Sequence, residues 1–130
     1  MKRYLSPVFF SVLAFGLFFT STKSNIDDVV RAMQTGNSAE VAKYFDDNVD
    51  LSMPGKSDNY SKAQAQAILK DFFSNNGAKG FVLKHKGDSP GGEFCSGTLQ
   101  TNAGNFRTNI FMKIKGNNEV VREMQFQPTE

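Results

Sequence analysis

The sequence has few of the residues that form disulfide bonds in small domains or bind metals. It contains one cysteine, one histidine and no tryptophan among 130 residues. A single cysteine excludes an internal disulfide, so the folded part must be held together by burial of apolar side chains. One histidine and one cysteine also argue against a zinc site. The longest basic stretch, Lys84-His85-Lys86, is too short to be a basic patch.

The N-terminal segment has the pattern of a secretory signal. Lys2 and Arg3 precede an apolar run over residues 8–19, and small polar residues follow at 20–22. The run is too short to span a bilayer comfortably, so we expect a cleavable leader over residues 1–22 rather than an uncleaved membrane anchor. Residues 23–130 then form one domain that lies in the periplasm or is secreted, with no membrane contact after cleavage.

The charge of the chain gives no sign of a nucleic-acid partner. The formal net charge of +2 comes from Lys2 and Arg3, because the rest of the chain carries 13 of the 15 basic residues and all 13 acidic residues. A neutral mature domain without a basic stripe is not typical of nucleic-acid binding.

Apolar periodicity predicts an α+β domain. Apolar residues recur at helical spacing after Ser24, after Asn37 and after Ser61, which predicts three helices, the last two with capping boxes. A short strand over 49–53 follows a turn at 46–48 and precedes the third helix. Alternation of period two then predicts four strands, which form an antiparallel meander. These strands cover residues 81–86, 93–101, 106–115 and 120–127.

Alternation also divides the strand side chains between two faces. The outer face carries Phe94 and Phe111 inside a polar rim, which favours an interface with a second copy or another protein. The Gly87–Gly92 segment is expected to be a flexible linker or pocket lid. The inner set is expected to line an apolar ligand pocket. It consists of Phe81, Leu83, His85, Leu99, Ile110, Met112 and Met124.

The last hairpin is expected to have one particular register. A three-residue loop at residues 116–118 would set Ile110 opposite Phe126 on the inner face. The same register sets Lys113 opposite Glu123 on the outer face, where the two charges can pair.

The order helix, helix, strand, helix and four-stranded meander resembles the nuclear transport factor 2-like superfamily, over nearly all of Ser24–Gln127. Residues 29–37, 41–45 and 71–73 are similar to small secreted bacterial families of that superfamily that are known only as domains of unknown function. The resemblance implies a curved, mostly antiparallel sheet wrapped around helices as a cone, with a pocket at its open end. It does not select a function, because the superfamily contains isomerase-like enzymes, dehydratases, transport adaptors and scaffolds.

The candidate catalytic residues are few. An enzyme of the ketosteroid-isomerase-like type needs a base and an oxyanion donor that converge inside the cone. The inner strands offer only His85, with Tyr44 or Asp47 at the mouth, so an isomerase or lyase using these residues is the alternative. We expect instead a non-catalytic domain that binds a small apolar ligand or a protein partner. No cofactor or metal is expected, since Asp46-x-Asn48-x-Asp50 lacks the glycine and glutamate of a calcium loop, and Cys95 is interpreted as a buried small hydrophobe.

Overall fold

The computed structural model of the protein describes residues 24–129, so the predicted leader lies outside the described part of the chain. These residues form three helices and six strands. No helix among them is both long enough and apolar enough to cross a membrane. In chain order the elements are α1 (Ile26–Gln34), α2 (Ser38–Ala42), β1 (Phe45–Met53), β2 (Lys56–Ser61), α3 (Lys62–Asn76), β3 (Ala78–Ser89), β4 (Gly92–Thr101), β5 (Gly104–Lys115) and β6 (Asn118–Pro128).

The third helix has the ends that the sequence predicts. The Ser61 hydroxyl accepts a hydrogen bond from the Gln64 backbone N–H at 3.3 Å, and the Gln64 side chain accepts one from the Ser61 N–H at 3.2 Å. Gly77 ends the helix in the left-handed conformation, at a φ of 69° that disfavours other residues. The first helix differs from the prediction at its start. Asn25 rather than Ser24 is its N-cap, and the Asn25 side chain makes no capping hydrogen bond.

The strands form one six-stranded sheet in the order β2-β1-β6-β5-β4-β3. The predicted antiparallel meander of β3 to β6 is confirmed, and β1 pairs with β6 in parallel. Strand β1 begins at Phe45, so the turn predicted at residues 46–48 is wrong. The sequence predicts no strand between the strand at 49–53 and the third helix, where β2 lies. It pairs with β1 instead, through a tight turn at Pro54-Gly55.

A bulge in β3 reverses the predicted faces after Leu83. The ladder pairs Leu83 with Gly97 and then His85 with Ser96, so that Lys84 is an extra residue. An extra residue shifts the alternation by one, which moves His85 to the outer face and leaves it exposed. Leu83 is 37% exposed on this edge strand. The prediction that His85 lies on the inner face is therefore wrong. Leu83 keeps the face of Phe81, opposite Gly97, but it lies outside the buried core.

The last hairpin has a shorter turn than predicted. Lys115 pairs with Asn118, so two residues form the turn, and a second bulge at Arg122 follows. Ile110 consequently lies opposite Met124, and Glu123 lies opposite Phe111. Ile110 was expected opposite Phe126, two residues further on, and Lys113 lies opposite Val120 rather than Glu123, so both expected pairs are wrong. Strands β3 and β4 also continue to a two-residue turn at Pro90-Gly91, so the predicted linker at 87–92 is mostly strand.

The helices cover the inner face of the sheet and form one core with it. Five of the side chains predicted to line a pocket are buried in this core: Phe81, Leu99, Ile110, Met112 and Met124. Met33 from α1 and Leu69 from α3 are fully buried among them. The middle of the cone is therefore occupied by the protein's own side chains, and open space is found nearer its ends.

Candidate functional site

A cleft of about 410 Å³ lies where the end of α3 meets the ends of β1 and β6 and the β4–β5 turn. We call it the mouth cleft. Its size falls within the range of small-molecule sites, which is about 300–1,000 Å³. The lining residues are Met53, Pro54, Phe72, Asn76, Ala103, Gly104, Asn105, Phe106, Pro128 and Thr129.

Aromatic packing forms the floor of the mouth cleft. The Phe72 ring lies edge-on to Phe106, with centroids 5.1 Å apart and an interplanar angle of 66°. It also packs against Phe126, at 4.9 Å. Phe72 is only partly buried, whereas Phe106 and Phe126 belong to the core. The floor is thus a partly exposed apolar ring, that of Phe72, which packs on two core rings at separations typical of stabilising aromatic pairs.

Hydrogen bonds to backbone groups hold the rim of the cleft. The Ala103 N–H donates to the Asn76 carbonyl at 3.2 Å, which joins the β4–β5 turn to the end of α3. The Asn76 amide donates to the Phe72 carbonyl at 2.8 Å. On the other side, the Thr129 N–H donates to the Asn105 carbonyl at 3.0 Å. The rim is polar and fixed, but none of the ten lining residues has an ionisable side chain.

The three weak catalytic candidates do not form one site. His85 lies exposed on edge strand β3. Three strands, β4, β5 and β6, lie between β3 and β1 in the sheet. Asp47 is exposed on β1 and pairs with Lys115 at 2.9 Å. Tyr44 precedes β1, is half-buried, and accepts a backbone hydrogen bond from Val121 at 2.7 Å. Since general acid–base catalysis requires groups within hydrogen-bond reach of one substrate, these residues make no shared centre.

The single cysteine is buried as expected. Cys95 is 1% exposed on the inner face of β4, opposite Ile110. Burial raises the pKa of its thiol to about 12. A nucleophilic cysteine needs a lowered pKa and access to its substrate, so this environment suits a packed side chain.

A second group of polar side chains gathers at the opposite end of β6, where it meets the start of α1. We call Ser24, Asn25, Glu93, Asn118 and Glu119 the amide–carboxyl cluster. The Asn25 amide donates to Asn118 Oδ1 and to the Glu119 carbonyl, each at 2.8 Å. The Glu93 N–H donates to Glu119 Oε2 at 2.8 Å, and the Ser24 hydroxyl donates to the Glu93 carboxylate. Burial raises the pKa of Glu119, and the Glu93 N–H partly offsets that effect.

The outer face carries the predicted aromatic pair. Phe94 lies directly opposite Phe111, with ring centroids 6.5 Å apart. The Arg122 guanidinium lies 5.3 Å from the centre of the Phe111 ring, and Arg122 also pairs with Glu123 at 3.2 Å. The Phe94 ring lies over Gly87, where an added Cβ would come within 2.8 Å of it. Both rings are therefore half-covered by their own chain.

A family model matches residues 26–127, nearly the whole described part of the chain. That model is DUF4783, a domain of unknown function. The chain belongs to the DUF4783 family. Two crystal structures of DUF4783 proteins are each 35% identical to it, with TM-scores of 0.76. The match to the Bacteroides ovatus protein covers 79% of this chain and 94% of the other, and the match to the Bacteroides uniformis protein covers 80% and 96%.

More distant structures define the fold of this DUF4783 protein. A nuclear transport factor 2-like protein of unknown function from Cytophaga hutchinsonii superposes with a TM-score of 0.60 at 9% identity, covering 86% of this chain and 95% of the other. The predicted fold, an α+β cone like that of nuclear transport factor 2-like proteins, is thus confirmed. No functionally curated protein matches the sequence significantly. A function must therefore be argued from the residues of the chain itself.

Proposed function

We propose that this DUF4783 protein is an exported, non-catalytic domain that binds a small apolar ligand in the mouth cleft. The observation that carries the proposal is the pairing of a partly exposed aromatic floor, Phe72 on Phe106, with a fixed polar rim. Small-molecule sites commonly combine an apolar floor with a few oriented polar groups. Export rests on the signal pattern of residues 1–22.

The chemistry of the lining favours binding over catalysis. The amides of Asn76 and Asn105 and the hydroxyl of Thr129 can orient a ligand by hydrogen bonds. An acid–base reaction needs in addition a group that titrates at the reacting atom, and the mouth cleft has none among its lining residues. The isomerase alternative would require His85 in a shared cavity, and His85 lies on the outer face.

A fluorescent apolar probe tests the proposal. Ala103 is an exposed rim residue that does not belong to the core, so Ala103→Arg should place a charged side chain over the aromatic floor without unfolding the domain. Ala63→Arg makes the same change at an exposed position of α3 outside the cleft. We expect Nile red, an uncharged apolar dye, to bind the wild-type protein and Ala63→Arg equally, and Ala103→Arg at least about tenfold more weakly. Equal binding by all three proteins would contradict the placement of the site.

The outer aromatic pair supports a second candidate, a homodimer through that face of the sheet. Phe94 and Phe111 form an apolar centre with a charged and amide rim, an arrangement common at interfaces. Sedimentation of the wild-type protein and of Phe111→Ser tests it. A wild-type dimer that the substitution converts to a monomer would support the interface, and a wild-type monomer at high concentration would exclude it.

A further inference from the structure

One side-chain oxygen of the mouth cleft receives no hydrogen bond from residues 24–129. The Asn76 amide nitrogen donates to the Phe72 carbonyl at 2.8 Å. Turning this amide over would bring its oxygen against the carbonyl oxygen, so Asn76 Oδ1 is the remaining atom. Among the described residues, only Asn25 and Glu119 have a buried side-chain atom that lacks a partner. Asn76 Oδ1 is therefore accessible, in a half-buried residue that lines the mouth cleft.

The rest of the lining has few free hydrogen-bond donors. Pro54 and Pro128 have no backbone N–H. The N–H groups of Ala103 and Thr129 already donate to carbonyl groups of the rim, and the Thr129 hydroxyl donates to the Asn105 carbonyl at 3.3 Å. The exposed Asn105 side-chain amide can offer either a donor or an acceptor, so it does not discriminate between ligands. A ligand that brings its own donor is thus better matched to this cleft than a ligand that brings only acceptors.

The charge and the floor of the mouth cleft restrict the ligand further. None of its lining residues is ionisable. An ion that leaves water for such a site loses hydration that no opposite charge replaces, so charged ligands are disfavoured. Phe72 lines the cleft and is partly exposed, and an aromatic ring of the ligand can pack against it in an edge-on or offset arrangement.

The aromatic contact and the acceptor lie on the same helix. Phe72 and Asn76 are four positions apart on one face of α3, with their Cα atoms separated by about 6 Å along the helix axis. The Asn76–Phe72 hydrogen bond and the packing of Phe72 on Phe106 hold both side chains in place. A molecule of two fused rings with a donor at one end can therefore reach both groups at once.

We propose that the mouth cleft selects an uncharged aromatic ligand with a hydroxyl or N–H donor, and that Asn76 is the residue that determines this specificity. The proposal rests on the binding function proposed above and specifies its ligand. The ring of the ligand packs on Phe72, and its donor forms a hydrogen bond with Asn76 Oδ1.

Three naphthalene derivatives of similar shape separate the parts of the proposal. At pH 7, 2-naphthol is uncharged and carries a hydroxyl donor, 2-methoxynaphthalene is uncharged and has no donor, and 2-naphthoate is an anion. Binding is followed by naphthalene fluorescence, which is readable because the chain has no tryptophan. We expect the wild-type protein to bind 2-naphthoate at least about tenfold more weakly than 2-naphthol. Equal or tighter binding of 2-naphthoate would overturn the selection against charge.

Substitutions at Asn76 test the acceptor. We expect Asn76→Leu to weaken the binding of 2-naphthol about three- to tenfold, the contribution of one neutral hydrogen bond. It should not weaken the binding of 2-methoxynaphthalene, which also shows that the cleft is intact. Asn75→Leu makes the same change at an exposed neighbour outside the cleft and should leave both affinities unchanged.

A second variant distinguishes the acceptor from a merely structural role of Asn76. Asn76→Asp loses the hydrogen bond to the Phe72 carbonyl, as Asn76→Leu does, but it keeps an acceptor oxygen. We expect Asn76→Asp to bind 2-naphthol at least as tightly as the wild type. If both variants lose 2-naphthol equally, Asn76 acts only by holding the end of α3, and the assignment is overturned.

The same assays distinguish a failure of this inference from a failure of the proposed function. If neither uncharged compound binds the wild-type protein, binding in the mouth cleft fails, and the inference fails with it. If both compounds bind and Ala103→Arg abolishes their binding, but Asn76→Leu affects them equally or not at all, the cleft remains a binding site. Only the selection of a donor by Asn76 is then overturned.

Discussion

Replacing Gly97 with alanine should destabilise the domain, because the space beside this glycine is already filled. It is buried on β4, opposite Leu83 and next to the bulge of β3. A Cβ at position 97 would lie 2.6 Å from Cζ of the Phe81 ring and closer still to the Val82 carbonyl oxygen. The ring of Phe81 thus occupies the space that a side chain at position 97 would need. The Val82 oxygen is a backbone atom, so a new rotamer of Phe81 alone could not relieve the clash with an added Cβ.

The expected magnitude follows from two opposing effects. Overpacking of a buried site costs about 1–3 kcal/mol. Replacing glycine with alanine in a strand returns about 0.5–1 kcal/mol of backbone entropy. We therefore expect Gly97→Ala to lower the free energy of unfolding by roughly 1–2 kcal/mol, which corresponds to a fall in Tm of about 4–16 °C for a domain of this size. Urea unfolding followed by circular dichroism measures it.

A control and a double variant make this reasoning refutable. At Gly91 an added Cβ meets nothing within 4 Å and φ is not positive, so Gly91→Ala should be neutral or slightly stabilising. In a Phe81→Leu background, which lacks the ring atom, Gly97→Ala should cost at least about 0.5 kcal/mol less. If Gly97→Ala is as stable as the wild type, or if its cost is the same in both backgrounds, the ring does not occupy the space as described.

Three further predictions concern a thiol, an ion pair and a helix cap. Because Cys95 is buried and its pKa is raised to about 12, we expect no reaction with Ellman's reagent at pH 8 in the native state and rapid reaction in urea; fast native labelling would show that β4 opens. The ammonium of Lys115, 2.8 Å from Asp46, lowers the pKa of that carboxyl below its ordinary value of 3.8. The stabilisation is therefore complete well above pH 3.8 and is lost as the pH falls through the lowered pKa. Asp46→Asn should cost roughly 0.5–1 kcal/mol at pH 7 and less at pH 2, and an equal cost at both values would refute the pairing. Ser61→Ala should lower the free energy of unfolding by about 1 kcal/mol, as measured in urea, whereas Ser61→Asp should retain most of it.

Sequence reasoning succeeded where the determining interactions are local. The capping box of Ser61 and Gln64 and the stop at Gly77 depend on residues within one helical turn, so the ends of α3 were predictable. Strict alternation over β4 and β5 placed Phe94 beside Phe111 on the outer face. The α+β cone fold was predictable from the order of the elements.

The errors in the predicted strand faces and pairs arose where one extra residue shifts the pairing of two strands. The extra residues Lys84 in β3 and Arg122 in β6 reverse the alternation, and neither has a local sequence signature. The first bulge moved His85 from the predicted inner face to the outer one. Strand β2 was missed because nearly all of its side chains are exposed, so that it has no apolar pattern and owes its conformation to pairing with β1.

The mouth cleft and the amide–carboxyl cluster could not be predicted because their residues come from distant segments. Phe72 and Phe106 have the spacing of core residues, and only the packed structure shows that they leave a cleft at the end of the cone. The unsatisfied oxygens of Asn25 and Glu119 are likewise a property of the assembled fold, since the two residues are far apart in the sequence.

Native mass spectrometry of the protein from the exported fraction of its own cells tests the central claim most directly. We predict a chain that begins near residue 23 and carries a small apolar molecule, which Ala63→Arg retains and Ala103→Arg loses. A bare wild-type chain that also takes up no apolar probe would contradict binding in the mouth cleft. A chain that retains residues 1–22 would contradict cleavage of the leader.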